Sequence, residues 1–199
     1  MARKALIDDD ALLGRLGDVF RELGYEGASL AKLAHAAGLR KASLYHRFPG
    51  GKEQMGHEVL ARASEWLEHN IVAPLIADGR PADRLESVIA SLDAYYSGGR
   101  QGCLLNLLSS PVCGPGPFRH EIAAMLSALI GAFARLAIDA GHDAEAARDR
   151  AEEAVALIQG GLVLARGFGD PAPFRHVLAA LPDRLLGPSG KSGAPKSAA

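Results

Sequence analysis

The residues from Arg40 to His46 have the types and spacing of a nucleic-acid contact. Basic side chains and a hydroxyl open a short predicted helix, where free backbone N–H groups also favour a phosphate or a base edge. Leu44 and Phe48 are the large apolar residues that can anchor this helix from behind. The side chains left to face a DNA duplex are then Arg40, Lys41, Ala42, Ser43, Tyr45 and His46.

Two further helices must position that segment. Apolar residues at three- and four-residue steps predict an amphipathic helix over 8–24, which Gly24 ends. Ser29 is a predicted N-cap for a short helix over 30–37, and Gly38 ends that helix. A helix, a glycine turn and a second helix with a basic start form a helix-turn-helix pattern.

The rest of the chain is predicted to be helical, so the fold class is all-α. Of the 199 residues, 48% are apolar and only 6% are aromatic, and runs of β-branched residues are almost absent. Pro74 is expected to close the fourth helix, and a Pro/Gly-rich loop is expected at 111–117. The predicted helices after the third are 52–69, 82–97, 101–109, 117–140, 143–167 and 171–186.

The stretch from Leu12 to Leu60 closely resembles the DNA-binding region of the TetR family of repressors. The string SLYHRFPGGKEQM is its most diagnostic part, and one extra glycine separates Phe48 from Lys52 compared with many members. The other matching residues are Phe20, Gly24-Tyr25, Ser29-Leu30, Leu33-Ala34, Ala37-Gly38-Leu39 and Lys41.

The resemblance implies a role for each matching polar residue. Ser29 and Lys52 would contact phosphates, Lys41, Ala42 and Ser43 would face the major groove, and Tyr45 and His46 would hold the backbone or a base edge. It also implies a DNA-binding domain at 1–52 and an effector-binding and dimerisation domain at 53–186, whose connecting helix is 52–69. The tail at 187–199 consists mainly of Gly, Pro, Ser, Ala and Lys and has no core-forming residue, which predicts disorder.

A homodimer is expected because paired recognition helices read a palindrome. The segment 151–166 is apolar on more than one side, and the last helix adds further leucines, so both could join a four-helix bundle with a second subunit; plain monomer core is the alternative. The candidate dimer residues are Ala154, Leu157, Ile158, Gly161, Leu162, Ala165, Leu178, Leu181 and Leu185.

The resemblance also implies a small-molecule effector pocket in the middle of the chain, at about 80–140. Few charges fall there, which favours an apolar or aromatic effector. The alternative for each candidate is an ordinary core position. The candidate lining residues are Trp66, Tyr95, Tyr96, Cys103, Leu104, Leu107, Leu108, Phe118, Met125, Leu129 and Phe133.

Cys103 has two interpretations. It stands near a helix start and Arg100, where a thiol pKa can fall, so it could sense oxidants or electrophiles. The interpretation that we favour is a small buried apolar residue. The sequence does not show whether Cys113 lies close enough to pair with it.

The composition and the motifs of the sequence limit which other functional classes of protein are possible. Residues 1–52 carry nine Lys/Arg against six Asp/Glu, although the whole chain has a net charge of −1. No catalytic signature, metal-ligand spacing or cofactor motif is found, so an enzyme is not expected. The chain has no signal-peptide pattern and no continuous membrane-length apolar run, which predicts a cytoplasmic protein without membrane contact. The alternative DNA-binding class is a regulator without an effector.

Overall fold

The structure, a computed structural model, describes residues 8–109 and 116–187, and within these ranges every regular element is helical. The Cys113 position, most of the expected Pro/Gly loop and the tail from 188 onward lie outside the described residues. The elements are α1 (Asp9–Gly27), α2 (Leu30–Ala37), α3 (Lys41–Arg47), α4 (Gly51–Leu67), a π-helical turn (Glu68–Val72), α5 (Ala73–Ile76), α6 (Pro81–Tyr95), a 3₁₀ turn (Ser97–Gly99), α7 (Leu104–Leu108), α8 (Arg119–Asp139), α9 (Ala144–Phe168) and α10 (Ala172–Leu186).

The first three helices begin and end at the residues that local sequence indicates. Gly24 has a φ of 67°, so α1 is broken there and only one further turn continues to Gly27. The Ser29 hydroxyl accepts a hydrogen bond from the backbone N–H of Lys32 and caps α2. Gly38 ends α2 with a φ of 64°, which brings the chain directly into α3.

The fourth predicted helix is longer than expected. Instead of ending near residue 69, the chain stays helical to Ile76 through the π-helical turn that follows α4. In that wider turn the N–H of Ala73 donates to the carbonyl of Glu68. Pro74 follows directly after this wider turn, in the first turn of α5, and does not stop the helix.

The body of the protein is built on α8, α9 and α10, which pack side by side along their lengths. Phe118 and Phe133 from α8 and its start, together with Phe174 of α10, are among the largest fully buried side chains. Gly161 lies where α9 meets α10, since a Cβ there would stand 3.0 Å from Cγ2 of Val177. The close approach that this glycine allows is therefore between two helices of the same subunit.

This packing changes where a subunit contact can form. Most of the candidate dimer residues point into their own subunit, because α9 turns that face toward α8 and α10. Leu157 alone among them is half-buried. The buried ones are Ala154, Ile158, Gly161, Leu162, Ala165, Leu178, Leu181 and Leu185. The dimer stays a prediction, and the positions of α9 that are open to a second subunit are the exposed neighbours of these residues.

One helix among the described residues, α8, is long and apolar enough to cross a bilayer by length and composition, although the sequence shows no unbroken apolar run of that length. About 39% of that window is buried inside the molecule. Ile122, Met125 and Leu129 of α8 belong to the buried core. Apolar residues of α8 therefore serve to pack this helix in the protein core.

Candidate DNA-binding interface

The outer face of α3 is open to solvent. Leu44 is 1% exposed and Phe48 is fully buried, so these two side chains hold α3 against the domain. Tyr45 is 46% exposed, and its ring lies near the start of α4, 3.8 Å from where a Cβ on Gly51 would stand. The other exposed residues of this face are Arg40, Lys41, Ala42, Ser43 and His46.

Ser29 lies at the start of α2 with its side chain exposed. Its oxygen accepts the 3.4 Å hydrogen bond that caps the helix, which leaves the hydroxyl hydrogen free to be donated. A helix cap and a phosphate donor are therefore compatible roles for this residue. Its neighbouring N–H groups also favour an anion.

Lys52 is half-buried at the start of α4 rather than extended into solvent. Its ammonium group donates to the carbonyl of Tyr25 at 2.9 Å and lies 4.2 Å from the centroid of the Tyr25 ring. Burial, with the nearby carboxylates of Glu53 and Glu26, raises the pKa of Tyr25 above its usual value. Lys52 therefore ties the start of α4 to the end of α1.

Arg47, near the end of α3, holds this helix in place. Its guanidinium donates to Glu58 at 2.8 Å and to Asp9 at 3.3 Å, and it covers the ring of Phe48 at 4.5 Å. The hydrogen bonds that Arg47 donates to Glu58 and Asp9 raise the pKa of its guanidinium. Asp9 is 38 residues away along the chain, so no local pattern could have revealed this contact.

The candidate effector residues are mostly packed inside the body. Trp66 stacks on Tyr95 with 3.8 Å between ring centroids, and both are half-buried, as is Leu107. The Tyr96 hydroxyl donates to Sγ of Cys103 at 3.5 Å, and burial raises the pKa of Tyr96 well above its usual value. The fully packed ones are Tyr96, Cys103, Leu104, Leu108, Phe118, Met125, Leu129 and Phe133.

Five of those candidates border clefts in the described part of the chain. Cys103 and Leu107 line one of about 410 Å³. Tyr95 and Leu104 line one of about 240 Å³ between α1 and α4. Leu108 lines a third of about 490 Å³ beside α8. Within 8–109 and 116–187, no cluster of three or more His, Cys, Asp or Glu side chains could hold a metal ion.

Sequence reasoning missed Arg21, which borders two clefts at the junction of α1 with the body. Its guanidinium lies over the Tyr95 ring, 4.6 Å from the centroid. On a helical wheel it looks like an ordinary solvated residue of α1, because the cleft is formed by segments far along the chain.

Two family models match the chain. The model for bacterial regulatory proteins of the tetR family matches residues 18–59. The model for the C-terminal domain of LmrA/YxaF-like transcriptional regulators matches residues 81–180. The HTH-type transcriptional regulator LmrA of Bacillus subtilis is 24% identical over 179 residues, which are 88% of this chain and 95% of that protein.

Solved structures show the same fold. A TetR transcriptional regulator from Legionella pneumophila has a TM-score of 0.77 and 18% identity, over 92% of this chain and all of that one. A cysteine mutant of the TetR-family regulator CifR, complexed with 26-bp double-strand operator DNA, has a TM-score of 0.69 and 25% identity, over 92% of this chain and 98% of that one.

The predicted fold class, an N-terminal helix-turn-helix domain followed by a larger helical domain, is confirmed. The resemblance that the sequence carried at Leu12–Leu60 is also confirmed, and the second model extends it through the body. The matched ranges cover well over half of the residues. The chain belongs to the tetR family of bacterial regulatory proteins, which are DNA-binding transcriptional regulators.

Proposed function

We propose that this protein is a cytoplasmic repressor whose homodimer binds a palindromic operator and is released from it by a small effector. The observation that carries the proposal is the outer face of α3. Its polar side chains are exposed while Leu44 and Phe48 are buried behind them, the arrangement that places a recognition helix in a major groove. CifR, which has the same fold, is complexed with double-strand operator DNA, and this supports operator binding by the present protein.

The proposed dimer surface is an exposed apolar stripe on α9. Val163 is 53% exposed, Leu164 is 50% and Phe168 is 72%, and the exposed Gly160 and Gly167 lie on the same side at helical spacing. Large apolar side chains this exposed on one helix face indicate an interface. The proposed occupant is a second copy of the chain, because a two-fold dimer whose α3 helices lie about one turn of DNA, ~34 Å, apart can read a palindrome.

The proposed effector response passes through α4, which packs on α1 of the DNA-binding domain and contacts the start of α8. An effector that prefers one position of α4 would shift the population of dimers with the DNA-binding spacing. Coupling of the usual allosteric size, about 1–3 kcal/mol, is enough to change operator affinity severalfold to a hundredfold.

A thiol sensor at Cys103 is the second candidate, and its placement beside a cleft favours it. Its burial opposes it, since Cys103 is 4% exposed, and Arg100 donates to the carbonyl of Ser97. Alkylation in a Cys113→Ser background separates the two candidates. Unchanged operator affinity after Cys103 has reacted excludes the sensor.

A gel-shift titration tests DNA binding, with duplexes from upstream of the protein's own gene and random duplex at low salt. Lys41→Ala and Tyr45→Ala should each weaken binding by about tenfold, which is roughly 1.4 kcal/mol. Lys41→Ala should also lower the slope of log affinity against log salt by about one, because it removes one positive charge from the DNA contact.

Arg80→Ala is the matched control, since Arg80 is an exposed cation on the body. It should bind like the unaltered protein. The proposal fails if the unaltered protein binds no duplex at low salt, or if the α3 variants bind as well as the control.

A further inference from the structure

A charged cleft of about 390 Å³ lies where α1 meets the body. Three arginines line it from three separate parts of the chain: Arg21 of α1, Arg100 after the 3₁₀ turn, and Arg166 of α9. Two carboxylates, Asp18 and Glu22, share the lining, so positive groups are in excess. Neither the predicted effector residues nor the proposed DNA contacts include these arginines.

Of the three arginines, Arg21 has the fewest hydrogen-bond donors with a partner in the described part of the chain. Its Nε is buried and has no hydrogen-bond partner within the described ranges. One side of its guanidinium is covered by the Tyr95 ring. Buried donors in folded proteins are nearly always paired, so the unpaired Nε shows that contacts within the described ranges leave hydrogen-bonding capacity of the Arg21 guanidinium unused.

Arg100 and Arg166 also keep donors available. Arg100 donates to the backbone carbonyl of Ser97 at 3.4 Å, and Arg166 donates to the carbonyl of Glu22 at 2.9 Å. In residues 8–109 and 116–187, none of the three arginines is in an ion pair with a carboxylate. Guanidinium groups bind oxyanions through paired N–H donors, so the cleft has the chemistry of an oxyanion site.

The cleft continues into an apolar one. Gly102 and Arg166 line both, and the second cleft, of about 410 Å³, adds Cys103, Leu107 and Leu162. A ligand that spans both would present a charged group at one end and an apolar or aromatic body at the other. This combination agrees with the apolar effector expected from the middle of the sequence and adds an anionic group to it.

We propose that this junction binds a small amphipathic organic anion, with its carboxylate or sulfonate held by Arg21, Arg100 and Arg166 and its apolar body along Cys103 and Leu107. The proposal rests on the proposed effector response and names the ligand class for it. A bound anion would join α1 of the DNA-binding domain to α9 of the body. Binding would thereby bias how the two domains sit relative to each other.

The test compares two fluorescent probes that share an aromatic skeleton, titrated into the full-length protein. 8-Anilinonaphthalene-1-sulfonate carries the anion, and N-phenyl-1-naphthylamine lacks it. Arg21→Gln and Arg166→Gln should each weaken binding of the sulfonate at least tenfold and leave the neutral probe unchanged. Arg15→Gln is the matched control, because Arg15 is exposed on α1 outside the cleft, and it should bind both probes normally.

Arg21→Lys guards against misfolding as an explanation, since it keeps the charge and should retain part of the sulfonate affinity. Displacement adds a second readout: 1-naphthoate should compete with the sulfonate and 1-naphthamide should not. The proposal is overturned if the unaltered protein does not bind the sulfonate, if Arg21→Gln binds it normally, or if the neutral probe and amide behave like the anions.

Operator binding without any probe, measured in parallel by gel shift, separates this proposal from the proposed function. Failure of the unaltered protein to bind DNA would count against the repressor alone. Failure of the arginine variants to discriminate the probes would count against the cleft alone.

Discussion

At the scale of single residues, Arg84 has the most consequential contacts in the body. It is only 8% exposed, and its guanidinium donates to the carbonyls of Leu75 and Ala77 at 3.0 and 2.7 Å and to Asp139 at 3.0 Å. The two carbonyls belong to the end of α5, so Arg84 joins that end to α6 and α8. Its sequence neighbourhood is that of an ordinary amphipathic helix, and the three acceptors lie 7 to 55 residues away.

We expect Arg84→Met to lower the free energy of unfolding by about 3 kcal/mol, because it leaves two carbonyls without the donor that Arg84 supplies and Asp139 with Arg135 as its remaining partner. Urea denaturation followed by circular dichroism measures this. Arg80→Met, which removes a side chain that is 79% exposed, should stay within about 0.5 kcal/mol of the unaltered protein. Equal losses in the two variants would show that the Arg84 network adds nothing.

The ion pair between Arg84 and Asp139 should also make the stability of the protein depend on pH. The hydrogen bond from Arg84, assisted by Arg135, lowers the pKa of Asp139 below its usual 3.8, although desolvation opposes this. A carboxyl whose folded pKa is depressed adds stability above its unfolded pKa and loses that contribution as the pH falls through the folded value. The free energy of unfolding of Asp139→Asn should therefore differ most from that of the unaltered protein at about pH 6.

The difference in unfolding free energy between the two proteins should narrow below about pH 4. There the Asp139 carboxylate of the unaltered protein becomes protonated and neutral, as the asparagine of the variant is at every pH. Urea midpoints at a series of pH values measure it. A stability difference that stays constant or widens toward acid would contradict the assignment of the low pKa to this pair.

At the scale of elements, the contact between α4 and the start of α8 depends on one glycine. A Cβ on Gly56 would stand 2.4 Å from Cζ of Phe118, and Phe118 itself is 1% exposed. His57 adds to the same contact, with Nδ1 at 2.7 Å from Glu121 and its ring 4.9 Å from that of Phe118. The glycine lets the helix backbone approach the ring, and α4 is the element that carries the proposed coupling.

Gly56→Ala should lower the unfolding free energy by about 1–3 kcal/mol through overpacking. Adding Phe118→Leu should restore part of the loss, because a smaller side chain makes room for the methyl group. Gly131→Ala is the control, since nothing lies within 4 Å of a Cβ there and α8 is helical at that point. It should be neutral or stabilising by up to about 1 kcal/mol; thermal melts that rank the two alanine variants equally would refute the steric explanation.

Helix bounds followed the sequence where local chemistry decides them and departed from it elsewhere. α2 begins and ends at the predicted residues, because Ser29 caps its first turn and Gly38 ends it with a positive φ. α7 is shorter than predicted, since only Leu104–Leu108 is helical and Gly98 and Gly99 adopt positive φ angles before it. The π-helical turn before Pro74 has no sequence signal that we could identify.

At the scale of the whole molecule, the exposed stripe on α9 predicts the oligomeric state. Leu164→Glu and Phe168→Glu should convert a dimer into a monomer in sedimentation equilibrium, because each places a charge in a desolvated contact. Both should weaken operator binding, since a monomer contacts only one half-site.

Ile138→Glu is the matched control for that prediction. Ile138 is an apolar side chain on α8 with 45% exposure, outside the stripe. It should leave both the mass and the operator affinity unchanged. A monomeric unaltered protein, or a dimer that survives both glutamates, would exclude the α9 stripe as the interface.

The sequence alone determined the all-α class, the helix-turn-helix and the polar outer face of α3, because caps, glycine turns and apolar periodicity act over a few residues. Only the tertiary structure decided which side of α9 is buried, that Arg47 and Lys52 hold the domain together, and that Arg21 and Arg166 line one cleft. Arg166 meets the carbonyl of Glu22 across 144 positions of the chain. Contacts of such separation depend on how whole helices pack against one another, and periodicity within a single helix carries no information about that.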